Sequence, residues 1–296
     1  MKSENLLWLQ LAILAYFINA CVFIIDKHLL SASIPKYHAY TFGVSVLSLT
    51  SLVLIPFGVS WQGLGYFLIA LTCGASFFMG LMFLYRAVKE SDVSVAATQT
   101  GTMGAIFTYL FSVLILKETL PFYSLFAFIF LVVGIFFLGK AEKHVVWVAV
   151  LSGLFFGLSY VLLKYSFNSS NFINGLFWTR IGFVGSAFSS LLFSHVRQEV
   201  VYSYKHAPKH SKILFVLNKV LAGVGFIILY FSIRLGDVSL INALLGIQFM
   251  FTFILAISLK EFIPGIREKL NCTILISKLT GMTLVIIGLL TLFIKR

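Results

Sequence analysis

Apolar residues follow one another in runs of about 20 along the whole chain, separated by short polar segments. A run of this length matches the thickness of the bilayer when it forms an α-helix, whereas a lipid-facing barrel strand would alternate apolar and polar residues. The pattern therefore predicts an all-α protein with ten membrane-spanning helices, at about residues 6–25, 37–55, 63–85, 93–116, 121–139, 145–164, 172–194, 213–234, 238–259 and 274–294.

The five prolines support these boundaries, because all of them fall at or outside the ends of the predicted spans. A proline inside a span would leave a backbone carbonyl without its donor in lipid. Between spans seven and eight we expect a polar, basic connection from Arg197 to Lys212, which contains Pro208.

The composition agrees with a membrane protein, since 60% of the residues are hydrophobic and only 11% are charged. Soluble domains carry roughly 25% charged residues. The net charge of +12 is explained most simply by basic residues at membrane surfaces that face anionic lipid. We expect the lipid bilayer as a partner, and no nucleic acid, because the chain offers no soluble domain with a basic face.

One stretch, residues 92–121, recurs at residues 237–264. Both copies begin with Asp-Val-Ser, continue through one apolar helix length and close on Leu-Lys-Glu shortly before a proline. The repeat divides the chain into two related units of five spans, 1–140 and 145–296. An odd number of spans per unit orients the two units oppositely in the membrane. Such inverted repeats place a binding site between the halves and alternate its access by rocking.

The most specific residues lie around the fourth span. They are Tyr85-Arg86-Ala87-Val88 before it, Asp92-Val93-Ser94-Val95-Ala96-Ala97 at its start, Phe107-Thr108 within it and Leu116-Lys117-Glu118-Thr119-Leu120 after it. In these residues the chain resembles the drug/metabolite transporter superfamily in its EamA-type, ten-span form. The resemblance implies two inverted five-helix repeats and a transport function, and it leaves the substrate open.

The chain departs from the family pattern in the middle of spans four and nine. Where family members often carry a proline, this chain has Ala105 and Gln248, close to Gly104 and Gly246. A kink at either place must therefore rest on glycine.

Arg180 is the sharpest candidate for a functional residue. It lies about eight residues inside span seven, and its counterpart in span two is Phe42. A charge inside a span is expensive, so it indicates function by default. We expect Arg180 to face the central cavity and bind an anionic group of the substrate. The alternative is a side chain that reaches the membrane surface or has an internal partner.

Other polar residues form a second tier of substrate-binding candidates. Lys164 ends span six, and it faces either the cavity mouth or the membrane surface. Gln99, Thr102 and Asn242 occur early in the two repeat copies, where they line the cavity or join helices by hydrogen bonds. Tyr85 and Tyr230 occupy matching positions, with a place in the aromatic belts as the alternative.

Three acidic residues receive separate interpretations. Asp26, at the end of span one, is a candidate for ion or proton coupling, and a solvated acid at a span end is the alternative. Asp92 and Asp237 are expected to be N-caps of spans four and nine.

Enzyme and metal motifs are missing from the sequence. Cys21, Cys73 and Cys272 lie far apart without paired spacing. No nucleophile elbow or paired-carboxylate motif is present. We therefore expect a protein without cofactors or metals that is not an enzyme.

The orientation of the termini has two conflicting predictions. Lys and Arg are far more numerous on the side that does not carry the termini, so the positive-inside rule places the termini outside. The family resemblance implies that they lie in the cytoplasm.

These observations predict a secondary transporter of a small polar or amphipathic metabolite, working by alternating access. Two other classes stay open: a flippase for a lipid-linked head group, favoured by a lateral opening that Arg180 faces, and a membrane enzyme or non-transporting subunit, favoured by a closed or solid core. We expect a monomer and a multi-pass protein of the plasma membrane. The sequence does not name the substrate, its direction or a coupling ion.

Overall fold

The chain is a bundle of α-helices in the computed structural model, which describes residues 4–33, 36–90, 93–138, 143–259 and 272–294. Over these residues every regular element is helical. The α-helices are α1 (Glu4–His28), α2 (Tyr37–Leu47), α3 (Leu64–Glu90), α4 (Val93–Phe111), α5 (Phe122–Leu138), α6 (Lys143–Ser169), α7 (Phe172–Ser190), α8 (Ser194–His206), α9 (Lys209–Leu235), α10 (Val238–Ala243), α11 (Leu245–Leu259) and α12 (Cys272–Ile294).

Short non-α segments extend three of the helices. A 3₁₀ segment, Ser48–Phe57, continues α2, and π-helical turns continue α1 at Leu29–Ser33 and α4 at Ser112–Leu116. The 3₁₀ segment has no buried residue, and its main contacts are with α7.

The helices confirm the prediction of a multi-pass, all-α membrane protein. Within the described ranges, eight helices are long and apolar enough to cross a membrane, and the bent pair of α7 and α8 is a ninth candidate. The predicted fifth span is α5, which is shorter, at 17 residues. All ten predicted apolar runs are therefore helical, whereas the opposite orientation of the two five-span units stays a prediction.

The predicted connection between spans seven and eight is wrong in part, because most of it is the helix α8. This helix turns by 101° from α7 and buries Val196 and Val200, while Val201 on its other face is 60% exposed. Glu199 fixes it to α2 by accepting from His38 Nδ1 at 2.8 Å and from Lys36 Nζ at 3.3 Å. The buried residues of α8 follow one another at helical spacing, which makes the helix amphipathic. Such a helix contains no long apolar run, so the hydrophobic pattern did not reveal it.

The predicted ninth span is interrupted at Leu244, between α10 and α11. The Ile247 amide donates to the Leu244 carbonyl at 2.9 Å, three residues back, which marks one tight turn beside Gly246. The predicted fourth span runs without a break past Gly104 to Phe111. The break thus occurs in one repeat copy, close to Gly246, the glycine on which a kink there would have to rest.

Glycines let neighbouring helices approach closely. A Cβ added at Gly182 of α7 would lie 2.7 Å from Leu71 Cα and 2.8 Å from the Ala70 carbonyl oxygen of α3. A Cβ at Gly153 of α6 would lie 2.5 Å from Met103 Cβ of α4. Small residues serve this role in membrane bundles, where helix association depends on close packing instead of exclusion of water.

We predict opposite effects for two glycine substitutions in α7. Gly182→Ala should lower stability by about 1–3 kcal/mol, because the new methyl group meets the backbone of α3. Gly185→Ala should leave stability unchanged or raise it by up to about 1 kcal/mol, because nothing lies within 4 Å of its Cβ position and alanine favours the helix. Thermal unfolding of both purified variants checks this. Equal melting temperatures would contradict the close approach of α3 and α7.

Candidate substrate cavity

A cavity of about 520 Å³ lies inside the bundle. This volume falls within the range of roughly 300–1,000 Å³ that small-molecule sites occupy. Most of its wall is apolar, and polar side chains project into it from α1, α3, α4, α6, α7, α9, α10 and α11: Tyr16, Asn19, Asp26, Tyr85, Thr100, Tyr160, Arg180, Lys219, Asn242 and Gln248. The wall thus combines a large apolar surface with a few polar groups, as binding sites for small organic molecules do.

The Arg180 side chain lies in this wall and is held by aromatic groups. Its Nη2 donates to the Tyr230 hydroxyl at 2.9 Å. Its guanidinium carbon lies 5.0 Å from the centre of the Tyr230 ring, 5.4 Å from Phe77, and 5.8 Å from both Phe183 and Phe226. Over the described residues no carboxylate is within ion-pair distance of it. The rings stabilise the cation by cation–π contact and leave most of its donors unused.

A second cation in the wall, Lys219, has a partner. Its Nζ donates to both carboxylate oxygens of Asp26, at 2.7 Å for Oδ2. The Tyr40 hydroxyl donates to Asp26 Oδ1 at 2.7 Å and the Asn218 amide at 2.6 Å, while the Tyr85 hydroxyl lies 3.5 Å from Oδ2. Every donor that a buried carboxylate needs is therefore supplied.

This cluster corrects the expectation that Asp26 is a solvated acid at a span end. Asp26 is 4% exposed and Lys219 is 8% exposed. The expectation was wrong because the helix continues past Asp26 and α2, α3 and α9 cover it. Lys219 was not among the predicted site residues. Its position six residues inside the predicted eighth span was the signal that could have identified it.

The cavity lies between two sets of contacts, one at each end of the bundle. We call the end at which α1 begins the near end and the opposite end the far end. At the far end Asp26 of α1 meets Lys219 of α9. At the near end Ser232 Oγ donates to the Trp8 carbonyl at 2.6 Å, and further along α1, on the near side of the cavity, the Tyr16 hydroxyl donates to the Ile241 carbonyl at 2.6 Å. Both sets join α1 to helices of the second predicted unit.

Lys164 acts at the near end, as a cap of α9. Its Nζ donates to three carbonyls that end this helix, those of Ile233 at 2.8 Å, Arg234 at 3.0 Å and Gly236 at 2.9 Å. A cation at a helix C-terminus satisfies carbonyls that have no intrahelical partner. The nearby Glu118 lies outside the spans, and its partial burial raises the pKa of the carboxyl although Lys164 opposes the rise. Lys164 is not among the residues that line the cavity.

The other predicted site residues divide into cavity and packing positions. Asn242 lines the cavity and donates to the hydroxyl of Thr108. Thr102 donates to the Thr98 carbonyl at 2.9 Å within its own helix. Neither Thr102 nor Gln99 is among the lining residues.

The two predicted tyrosines are buried, at 3% exposure for Tyr85 and 4% for Tyr230, so their place is not in an aromatic belt at the surface. Asp237 is the N-cap of α10, as predicted, because its carboxylate accepts from the amides of Ser239 at 2.8 Å and Leu240 at 3.0 Å. Asp92 lies outside the described residues.

Three buried polar atoms in the cavity wall have no hydrogen-bond partner in the protein. They are Asn19 Oδ1, Ser51 Oγ and Thr100 Oγ1. Buried polar atoms are nearly always satisfied, by protein, water or ligand. These three atoms are therefore available to hydrogen-bond water or a bound molecule.

The cavity has a lateral opening between the 3₁₀ segment and α9. Val53 and Ile227 both line the cavity, yet they are 68% and 50% exposed. Each lies several residues inside its span, since Val53 precedes the end of the 3₁₀ segment at Phe57 and Ile227 precedes the end of α9 at Leu235. The opening therefore faces the hydrocarbon region of a surrounding bilayer.

Comparison with known proteins agrees with this fold. Residues 6–140 match the sequence model of the EamA-like transporter family. The match covers the first predicted unit, so in this part the chain is similar to the EamA-like transporter family. One solved structure, described only as "Crystal structure of protein", superimposes with a TM-score of 0.62 at 14% identity, covering 99% of this chain and 98% of the other. A search of curated proteins finds no match.

The family match confirms the resemblance that the fourth span carries, and it suggests a membrane transporter of the drug/metabolite type. Members of the family are transporters and not enzymes. The match covers the first predicted unit, and the division at residues 140–145 stays a prediction. The solved structure shows a shared fold alone, because its sequence is only 14% identical.

We predict that either single substitution in the Asp26–Lys219 pair destabilises the protein by about 3–5 kcal/mol, because it leaves an uncompensated charge in the interior. The double variant Asp26→Leu/Lys219→Met should recover most of this loss, since no charge remains. Thermal unfolding of Asp26→Ala, Lys219→Ala and the double variant tests the coupling.

The matched control is the exposed pair of Arg86 and Glu90, whose atoms are 2.9 Å apart. Glu90→Ala should change stability by less than about 1 kcal/mol. If the losses in the two buried single variants simply added in the double variant, the pair would not act as a unit.

Proposed function

We propose that the chain transports a small amphipathic metabolite with an anionic group, and that Arg180 binds this group. The observation that carries the proposal is a guanidinium in the cavity wall with no carboxylate within ion-pair distance among the described residues. A half-buried cation without a counter-charge attracts an anion more strongly than a fully exposed one, because its surroundings screen the charge less than bulk water does. The fork of a guanidinium matches a carboxylate or a phosphate.

The remaining wall supports the amphipathic part of the proposal. Phe156, Phe226, Leu81 and Leu245 are among the apolar side chains that line the cavity. They would bury the apolar part of a substrate at about 25 cal/mol for each Å² removed from water. Asn19 Oδ1 and Thr100 Oγ1 offer hydrogen bonds to its polar part.

Alternating access is supported by the two different sets of closing contacts. The far end closes through an ion pair between α1 and α9, and the near end through hydrogen bonds to backbone carbonyls. The two sets lie at different places along α1, so one set can be released while the other stays in place. A transporter that opens one end at a time needs this arrangement.

The proposal predicts that amphipathic anions stabilise the purified protein and that Arg180→Ala abolishes this effect. A ligand at about 100 times its dissociation constant adds roughly 2.7 kcal/mol to the stability of the native state. Melting temperatures are measured against a panel of carboxylates and phosphates with their uncharged analogues. Arg180→Lys should retain a weaker effect, because it keeps the charge and loses the fork.

The matched control is Arg86→Ala, which removes the same charge from an exposed helix position outside the cavity. It should leave every ligand-induced shift unchanged. Equal shifts for anions and their uncharged analogues, or full shifts in Arg180→Ala, would contradict Arg180 as the anion site.

A second candidate function, the flipping of a lipid-linked head group, is favoured by the lateral opening at Val53 and Ile227. A lipid could leave its chain in the bilayer while its anionic head reached Arg180. A cavity of this volume disfavours the third class, a solid non-transporting subunit.

This candidate predicts that the protein moves a fluorescently labelled phosphatidylglycerol between leaflets of reconstituted vesicles. Gly223→Trp should slow the movement, because the residue lines the cavity and nothing lies within 4 Å of its Cβ position, so an indole there would obstruct the opening. Gly185→Trp, also in open space but outside the cavity wall, is the control. No protein-dependent movement would favour the soluble metabolite.

A further inference from the structure

We propose that Asp26 is the site at which the transporter binds and releases a coupling proton, and that the far end opens when this carboxylate is protonated. The inference rests on the proposed alternating access, since it names what controls one of the two closures. In this proposal, protonation of Asp26 controls the contact that closes the far end.

The first argument is the position of the pair between moving parts. Asp26 belongs to α1 of the first unit, and Lys219 belongs to α9 of the second. The two side chains line the cavity at its far end, so the ion pair lies between the cavity and that membrane surface. If α1 and α9 separate there, the contact between Asp26 and Lys219 must break.

The second argument is that, at the near end, the described residues form no ion pair between α1 and α9. The alignment that pairs Trp8 with Trp147 places Tyr165 opposite Asp26, and the one that pairs Tyr85 with Tyr230 places Gly74 opposite Lys219. The near-end contacts to the Ile241 and Trp8 carbonyls are hydrogen bonds from hydroxyl groups. Repeat symmetry does not require the charge pair, so it serves something that only one end needs.

The third argument concerns the groups around the carboxylate. Three ionisable groups contact the carboxylate: Lys219 of α9, Tyr40 of α2 and Tyr85 of α3. Tyr204 of α8 lies nearby without touching it, and its hydroxyl donates to the Ala39 carbonyl at 3.1 Å. On α1 itself, Lys27 is directed away and donates to the Val88 carbonyl. α11, which also packs on α1, contains no ionisable side chain. Asp26 is thus the acidic group of this cluster.

The chemistry of the step follows from these contacts. Without the proton, the carboxylate holds Lys219 and three neutral donors, and the far end is closed. A proton from the far-end solution binds one oxygen of Asp26, which becomes a neutral carboxylic acid. Its attraction for Lys219 falls because a charge pair has become a neutral–charged pair. Lys219 stays an ammonium without a counter-charge, and α1 and α9 separate to hydrate it.

Protonation also changes the charge of the cavity. With Asp26 neutral, Lys219 and Arg180 are two cations in the same wall. An anionic substrate is then attracted more strongly, so proton and anion are bound in the same state.

The test measures opening without knowledge of the substrate. Cys21, Cys73 and Cys272 are replaced by Ser, and Gly223→Cys is introduced as a reporter in the cavity wall, one helical turn from Lys219. Its Cβ position has open space around it. A charged, membrane-impermeant methanethiosulfonate reagent is added outside sealed proteoliposomes at a series of pH values.

A second reporter corrects for orientation and for thiol chemistry. Leu192→Cys lies at the far end and is 85% exposed. Its labelled fraction gives the share of molecules whose far end faces outward, and its rate at each pH gives the intrinsic reactivity of an open thiol. The rate at Gly223→Cys is divided by this reference.

We expect the normalised rate, in the outward-facing share, to rise as the pH falls, by about one decade per pH unit while the open state is rare. In Asp26→Asn, the rate should be high at every pH. In Lys219→Gln, the rate should also be high at every pH, because the ion pair that closes the far end is absent.

Should the single variants fail to fold, the double variant Asp26→Asn/Lys219→Gln serves instead, and its rate should be independent of pH. A pH-dependent rate that is unchanged in the Asp26 variants would overturn the proton site. So would a pH-independent rate in the protein with both residues intact. If the reporter is labelled from neither side in any variant, alternating access itself fails, which is a different result.

Discussion

The hydrocarbon region of a bilayer offers no hydrogen-bond partner, so every polar group that this chain places there must find one inside the protein. Several charged side chains of the described residues meet this constraint in different ways. Lys164 donates to three carbonyls, Asp26 and Lys219 form an ion pair, the ammonium of Lys278 lies 4.1 Å from the centre of the Phe253 ring, and Arg180 contacts aromatic rings and makes one hydrogen bond. Arg180 lies in the cavity wall and keeps most of its donors unused, so it suits an anionic ligand.

The same constraint explains the ends of the cavity. α1 packs on α9 along much of its length, and polar contacts occur near both ends of this packing. Between these two sets of contacts, the side chains of α1, α9 and the neighbouring helices leave a cavity. Because water is absent from the surroundings, each polar contact is held more firmly than it would be at an aqueous surface. A change of protonation at Asp26 thus has a direct mechanical consequence for α1 and α9.

The family match and the cavity answer different questions. The match over residues 6–140 suggests a transporter, and the structural likeness shows a known fold. Neither comparison identifies the ligand, and the solved structure is only 14% identical in sequence. The substrate depends on the groups in the wall, of which Arg180, Asn19 and Thr100 have hydrogen-bonding capacity to spare. The lateral opening between the 3₁₀ segment and α9 offers a route of entry from the bilayer, so it supports a lipid-linked substrate as the second candidate.

The sequence by itself determined the fold class, the positions of the ten apolar helices and the family resemblance, because these depend on local composition and on residues close together in the chain. It also determined the cap at Asp237, which uses neighbouring amides. It indicated Arg180 through the expense of a charge inside a span. Only the tertiary structure decided that Asp26 is buried and paired, because its partner lies 193 residues away. The amphipathic helix α8 and the lateral opening likewise depend on how distant helices pack, which no local pattern records.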